Sequence, residues 1–313
     1  MPELPDVDLY VTRIAERVVD RPLIGVRLAS AFLLRTAVPP VSSVFGAKVL
    51  GVSRLGKRIV LAMEGERFLV VHLMIAGRFR WLEEERAKIP GKLGLAAFDF
   101  PASTLILTEA GTKKRASLHV VVGEEALHEM DPGGLELIGS NLPDFALRLR
   151  RENRTVKRAL TDPTLFSGIG NAYSDEILFR ARMSPTLRTQ SLTPERVARL
   201  HAIAIETLAS SRDLLLRETP GFPEKVTAFR PEFAVHGKYG KPCPVCGTNV
   251  QRIRYADNES NYCPTCQTDG KLLADRSLSR LLRGDWPRTL DELELRRKGA
   301  AVTSPATRSS PRR

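Results

Sequence analysis

Over the first twenty positions, apolar residues recur at helical spacing. Val7, Tyr10, Val11, Ile14 and Val18 fall three or four apart, the period at which side chains share one face of a helix. From about residue 22 to 123 the runs shorten and become β-branched or aromatic, broken by glycine and charged turns. Val49–Val52, Arg58–Met63, Phe68–Leu73, Leu95–Phe98, Thr104–Leu107 and Leu118–Val122 predict strands of a compact sandwich or barrel-like sheet. From about 135 to 217 helical spacing returns, predicting helices over Pro143–Leu149, Thr155–Thr161, Asn171–Arg180 and Pro194–Leu216. Glu218–Gly237, rich in Pro and Phe, predicts a loop, and Leu272–Leu282 a short helix. The segment from about 296 to 313 holds Arg, Ser, Pro and Ala with almost no large apolar side chain, a composition that predicts disorder.

This pattern predicts an α+β chain with an N-terminal helix and β-sandwich over 1–130, a helical domain over 131–237, a cysteine module and following helix over 238–282, and a flexible basic tail over 283–313. No internal repeat is visible. Composition adds a direction: the net charge of +12 over 313 residues favours an acidic partner such as nucleic acid or an anionic membrane. No apolar run is long enough to span a bilayer. The opening Met1–Asp6 carries two acids and two prolines and lacks the basic-then-apolar pattern of a signal peptide. The expectation is therefore a soluble, cytoplasmic protein without a membrane partner.

All four cysteines lie between 243 and 266. Cys243-Pro-Val-Cys246 and Cys263-Pro-Thr-Cys266 form two C-x-x-C knuckles, and each knuckle turns two sulfurs toward one point. Together they supply the four thiolates of a tetrahedral zinc site, and a full ligand set is that of structural rather than catalytic zinc. Between them, Val250–Tyr255 alternates and predicts a hairpin with the segment ending at Tyr262. Lys238, Lys241, Arg252 and Arg254 are candidates for gripping phosphate.

At the other end stands Pro2, whose small side chain permits removal of Met1 and exposure of a secondary amine. An α-amino group has a pKa of about 7.7–8.0, far below that of lysine. A useful fraction is thus unprotonated near neutrality and able to attack a sugar C1′. Glu3 can move protons to the sugar ring oxygen and the departing base. A Pro-Glu start is common in itself and gains meaning from the motifs that accompany it.

Those motifs together resemble the formamidopyrimidine-DNA glycosylase/endonuclease VIII family. Pro2–Asp8 (PELPDVD) is similar to its PELPEVE opening, Arg54–Arg58 to its R-x-G-K turn, His72–Gly77 (HLMIAG) to its HL-x-M-x-G strand, and Gly168–Glu176 to its GIGN-x-Y-x-x-E element. The four-cysteine finger closes the set, and the matches run in family order from residue 2 to 266. The resemblance implies a bifunctional DNA glycosylase/AP lyase that excises oxidised bases through an imine on Pro2 and β,δ-elimination. Its partner would be damaged double-stranded DNA, bound by a monomer with one structural zinc and no catalytic cofactor. It further implies a β-sandwich followed by a helix–two-turns–helix domain and a zinc hairpin. Pro2 would be the nucleophile, Glu3 the general acid, and Lys57 a turn residue aiding catalysis. His72 and Asn171 would hold phosphates; independently of the resemblance, Asn171 stands at a helix start opened by Gly168 and Gly170, where anions bind, and its plainer reading is a simple N-cap.

The chain departs from the family pattern in several places. Asp6 stands for a glutamate. Ile75 takes the void-filling methionine's place, with Met74 beside it. The DPRRFG loop is replaced by Glu109–Arg115, where Lys113, Lys114 and Arg115 are candidate phosphate ligands but no aromatic wedge remains. A DNA-contacting arginine of the finger falls on Asn258, for which Arg252 or Arg254 could substitute. Thr219–Phe233 shows no counterpart of the loop that caps an oxidised purine. The alternative reading is a protein that binds abasic or damaged DNA and has lost base excision.

Overall fold

The computed structural model describes residues 1–227, 229–255, 258–273 and 287–297. Helix α1 (Leu4–Val18) leads into β1 (Gly25–Leu28), β2 (Val49–Leu55), β3 (Arg58–Met63), β4 (Arg67–His72), β5 (Gly77–Leu82), β6 (Gly94–Phe100), β7 (Ser103–Glu109) and β8 (Ser117–Val122). The strands form two antiparallel four-stranded sheets, in orders β1-β6-β7-β5 and β2-β3-β4-β8. Period-two alternation decides what lies between them. Ile59, Leu61 and Met63 of β3 and Leu69 and Val71 of β4 meet Phe79 of β5, Phe98 and Phe100 of β6 and Leu105 and Leu107 of β7 in one core. The intervening Val60, Phe68 and Val70 turn outward, under Ala126 and Leu127 of α2 (Glu124–His128). Helix α1 closes the first core with Val7, Tyr10, Ile14 and Val18, the stripe read from the sequence.

A second core is helical. It joins α3 (Leu142–Arg150), α4 (Val156–Leu160), α5 (Asn171–Arg180) and α6 (Pro194–Glu218). Their starts follow local chemistry: Asn141, Thr155 and Thr193 each accept a hydrogen bond from a first-turn amide, and proline follows at Pro143 and Pro194. Helix α5 differs in being buried on nearly all sides, from Ala172 to Phe179. Leu4 also belongs to this second core, so a single turn of α1, from Leu4 to Val7, is shared between the two. The finger follows as a two-stranded hairpin of β9 (Gln251–Arg254) and β10 (Glu259–Tyr262), with α7 (Pro264–Thr268) after it.

Two strands escaped the sequence reading. Strand β5 is flanked by loops that mask the alternation of Phe79 and Trp81 with arginines, and β1 is a four-residue edge strand. The loop expected over Glu218–Gly237 is irregular, as read, but is packed rather than free. The helix expected over Leu272–Leu282 lies outside the described residues beyond Leu273, and so does the tail beyond 297. The flexible tail expected from 283 needs correction, because Leu290–Arg297 forms helix α8, with Glu292 accepting from the Arg288 amide (2.6 Å) at its start. Among the described residues no helix is long and apolar enough to cross a membrane.

Phe145 is fully buried between Phe166 and His201, with ring centroids 4.9 Å away in each case. Phe145→Ala is expected to destabilise the protein by about 3–5 kcal/mol, read as a lower denaturant midpoint with an unchanged slope.

Candidate active site

Glu3 is only 3% exposed. A buried carboxylate is costly unless it is fully hydrogen-bonded. Here its acceptors are matched by three backbone amides of another part of the chain. Gly170 N–H donates to Oε2 (2.6 Å), Ala172 N–H to Oε1 (2.8 Å) and Tyr173 N–H to Oε2 (3.1 Å). These amides open α5, where the first turn leaves N–H groups unpaired and the helix dipole favours an anion. A Cβ on Gly170 would lie 2.6 Å from Glu3 Cδ and Oε1, so the carboxylate approaches only because residue 170 has none. Gly168, at φ +77°, makes the turn, and a Cβ there would strike Leu4 at 2.6 Å. The Leu4 amide donates to the Gly168 carbonyl at 2.9 Å, completing the seam. Asn171 is the first helical residue and Gly170 the N-cap, which corrects the expectation that Asn171 caps the helix.

Asp6 faces the same turn. Its Oδ2 accepts the Glu3 amide at 2.9 Å, and its Oδ1 is ion-paired to Arg230. Burial pushes the Asp6 carboxyl above its ordinary range, against the pull of the Arg230 guanidinium. The family's glutamate is replaced by a shorter acid that still reaches both partners.

Lys57 comes in from the turn between β2 and β3, where Gly56 adopts φ +61°. Arg54 braces that turn, donating to Asp8 Oδ1 (2.9 Å), the Gly56 carbonyl (2.9 Å), Ser167 Oγ (3.2 Å) and both carboxylate oxygens of Glu136 (3.0 and 2.5 Å). The Lys57 ammonium has no hydrogen bond or ion pair among the described residues. Burial lowers its pKa, and the Glu3 carboxylate opposes the shift. The chain terminus sits in the same field. The Met1 amino group is lowered chiefly by burial and further by Arg78 and Lys57, while Glu3 and Asp6 oppose. Pro2 itself is buried. His72, at the end of β4 opposite Arg58 and Ser117, is held down to about 4 by burial and then by Arg58, Lys57 and His119. It is therefore a neutral imidazole at physiological pH. Pro2, Glu3, Lys57, His72 and Asn171 thus converge where the two cores meet.

The remaining candidates lie farther out. Ile75 is 57% exposed at the tip of the β4–β5 turn, beside Met74 at φ +52°. A Cβ on Gly111 would lie 3.7 Å from the Ala76 Cβ, so the 111–115 loop flanks this tip. Lys113, Lys114 and Arg115 are exposed there, and Lys114 Nζ turns back to donate to the Glu109 carbonyl. The buried Glu109 carboxylate fixes the loop by accepting from the Arg115 amide (2.9 Å) and the Ala116 amide (3.2 Å).

The finger is tied to α5 by two buried acids. Glu176 accepts from the amides of Ala234 (2.9 Å), Val235 (2.9 Å) and His236 (2.8 Å). Asp175 pairs with Lys157 and takes hydrogen bonds from His236 Nδ1 (2.9 Å) and the Asn261 amide (3.1 Å). The four cysteine sulfurs all lie within 4.8 Å of one another, with Cys246–Cys263 at 3.4 Å and Cys243–Cys266 at 3.9 Å. Zinc–thiolate bonds of about 2.3 Å in a tetrahedron place sulfurs about 3.8 Å apart, so the donor set fits structural zinc. On the hairpin, Arg252 is engaged by Glu259 (3.4 Å) and stacked 4.2 Å from the Tyr239 ring centroid. Arg254 and Asn258 are exposed.

Sequence reasoning did not single out Arg78, Arg230, Glu136 or the Asp175–His236 pair. Arg78 anchors the 219–233 segment, donating to the Val226 carbonyl at 2.5 Å. Its place immediately after the HLMIAG motif was the only available signal. Arg230 had none, because its partner lies 224 positions away.

Comparison with known proteins fits this geometry. The formamidopyrimidine-DNA glycosylase N-terminal domain matches residues 1–115, the H2TH domain of that enzyme residues 139–213, and the zinc finger found in FPG and IleRS residues 240–268. The formamidopyrimidine-DNA glycosylase of Thermus thermophilus is 34% identical over 284 residues, 86% of this chain and 100% of that protein. An uncharacterized formamidopyrimidine-DNA glycosylase-like protein of Mycobacterium tuberculosis is 39% identical over 156 residues, 48% of this chain and 94% of that one. A Lactococcus lactis enzyme solved with Fapy-dG-containing DNA superposes with a TM-score of 0.75 at 25% identity, covering 85% of this chain and 100% of that one. With the Glu3 carboxylate seated on the start of α5 and the four-cysteine hairpin in place, the chain belongs to the formamidopyrimidine-DNA glycosylase family.

Proposed function

We propose that this chain is a bifunctional DNA glycosylase and AP lyase of base excision repair, excising oxidised bases from damaged double-stranded DNA as a monomer. The observation that carries the reading is the Glu3 carboxylate, fixed on three α5 amides beside Pro2 and within the field of Lys57. Removal of Met1 leaves the Pro2 amine there. Its nitrogen attacks C1′ of a nucleotide turned out of the stack, and the base departs with a proton. The Glu3 carboxylate, having first taken a proton from the Pro2 ammonium, delivers it to the ring oxygen as the C1′–O bond opens to an iminium, and the amine's remaining proton is the one that leaves with the base. The iminium acidifies the adjacent C2′–H. Loss of that proton expels the 3′ phosphate, a second elimination expels the 5′ phosphate, and water releases the amine.

The surroundings suit each step. The burial that lowers the Met1 amine would act on the Pro2 amine in its place and raise its unprotonated, nucleophilic fraction at neutral pH. Lys57, neutral His72 and Asn171 are positioned to take phosphates flanking the lesion, and Ile75 to fill the space the nucleotide vacates. Lys113, Lys114, Arg115, Arg252 and Arg254 extend the cationic track. Zinc holds the hairpin that carries the last two and supplies no chemistry.

Borohydride trapping on abasic, 8-oxoguanine, formamidopyrimidine and oxidised-pyrimidine duplexes tests the reading. A crosslink mapping to Pro2 and lost in Pro2→Gly, with DNA binding retained, is expected. Trapping of abasic DNA alone would mean a lyase without base recognition, and no trapping despite binding would end the catalytic reading. Gly170→Ala should displace the Glu3 carboxylate and slow single-turnover cleavage about a hundredfold, the scale of a 1 Å misplacement. The acid limb of the pH–rate profile should fall below the ordinary amine value of 8.0. Lys57→Met should raise that limb, since Lys57 is one of the charges holding the amine down. Cys246→Ser should lose the single zinc by elemental analysis and weaken DNA binding, because metal binding is folding energy for so small a module.

A further inference from the structure

The 219–233 segment is fastened to the first core at several points. Arg13 donates to the Thr219 carbonyl at 2.9 Å. The Phe222 ring packs 6.0 Å from Tyr10 and 6.4 Å from Trp81. Val226 is buried in the first core, and its carbonyl accepts from Arg78. Phe233 then returns the chain to the second core. Between these anchors, Arg230 reaches the N-terminal turn and pairs with Asp6, their side chains 11% and 3% exposed. Asp6 uses its other oxygen on the Glu3 amide. The guanidinium therefore touches neither Pro2 nor Glu3, yet it fixes the carboxylate that fixes their backbone. Glu3 is also held by its carboxylate on α5 and by its carbonyl, which accepts the Val7 amide at 2.9 Å, while the N–H of the peptide between Pro2 and Glu3 is engaged by Asp6.

We propose that Arg230 is a positioning residue for the Pro2–Glu3 pair: through Asp6 it holds the backbone of that pair and with it the orientation of the terminal amine. The proposal rests on the imine reading above. Its physical content is a relay of one buried ion pair and one buried hydrogen bond. Breaking the ion pair leaves Asp6 as a buried, uncompensated acid free to turn from the Glu3 amide. Placement of the nucleophile is what suffers. The groups that grip phosphate are elsewhere, so affinity for DNA is spared.

The test is single-turnover kinetics and borohydride trapping on abasic duplex, with DNA dissociation constants measured in parallel, for Arg230→Gln, Arg230→Lys, Asp6→Asn, the Asp6→Asn/Arg230→Gln double variant and Phe222→Leu. Arg230→Gln is expected to slow imine formation about ten- to a hundredfold while the dissociation constant moves less than threefold. Arg230→Lys, which keeps the charge, should recover much of the loss. The double variant should be no slower than the worse single one, because both remove the same relay. Phe222→Leu loosens the segment without touching Asp6 and should stay within about twofold of the parent. The proposal is overturned if Arg230→Gln traps at the parental rate, if its defect lies wholly in DNA affinity, if the Asp6 and Arg230 effects multiply, or if Phe222→Leu is equally slow. Failure of the parent protein to trap at all would instead overturn the imine reading on which the proposal stands.

Discussion

One buried carboxylate organises the molecule. Glu3 lies at the junction of a β-sandwich and a helical core, and removing it from water is tolerable only because the start of α5 offers three unpaired amides. That requirement reaches outward in the sequence. It demands glycine at 170, where a side chain would collide, and a left-handed glycine at 168 so that the turn clears Leu4. It also makes α5 a helix that must be buried, because its first turn is the receptor for a charge from the other core.

The same helix works from its flank. Asp175 and Glu176, one turn further on, receive the finger through His236, Val235, Ala234 and Asn261. An isolated acid in such a place would be a liability. Both are satisfied here, Glu176 by backbone donors and Asp175 also by Lys157, so the polar interior specifies geometry at small net cost. The zinc hairpin and the reactive pair are thus two loads carried by ten residues of one helix.

What could be read from the sequence was what local pattern encodes. The α1 stripe, the alternating strands, the C-x-x-C knuckles and the Gly168–Glu176 element all declare themselves within a few residues, and the structure brings Pro2, Glu3, Lys57, His72 and Asn171 together. What could not be read depends on distant partners. Arg230 sits in an irregular segment and acquires meaning only from Asp6, and Arg54 stands in a recognised turn while bracing Glu136 and Ser167 of the helical part. The helix starting at Asn171 was placed correctly, while the alternative of Asn171 as its N-cap fails because the cap is the glycine before it, where Glu3 leaves no room for a side chain. The helix at Leu290–Arg297 is LDELELRR, rich in helix formers, and only the segment after it has the composition of a tail.

The sharing of one helical turn between two cores has a mechanical consequence. Leu4 is gripped by one core and Val7 by the other, so that turn is one joint between the two halves, beside the contacts of Arg54 with Glu136 and Ser167 and of Arg13 with the end of α6. A small movement of one half against the other, with these joints as pivot, would displace atoms more the farther they lie from them. Ile75 at its turn and Arg254 on the hairpin are exposed and belong to neither core. The atoms that must hold position to a fraction of an ångström lie next to the pivot, where the same motion moves them least.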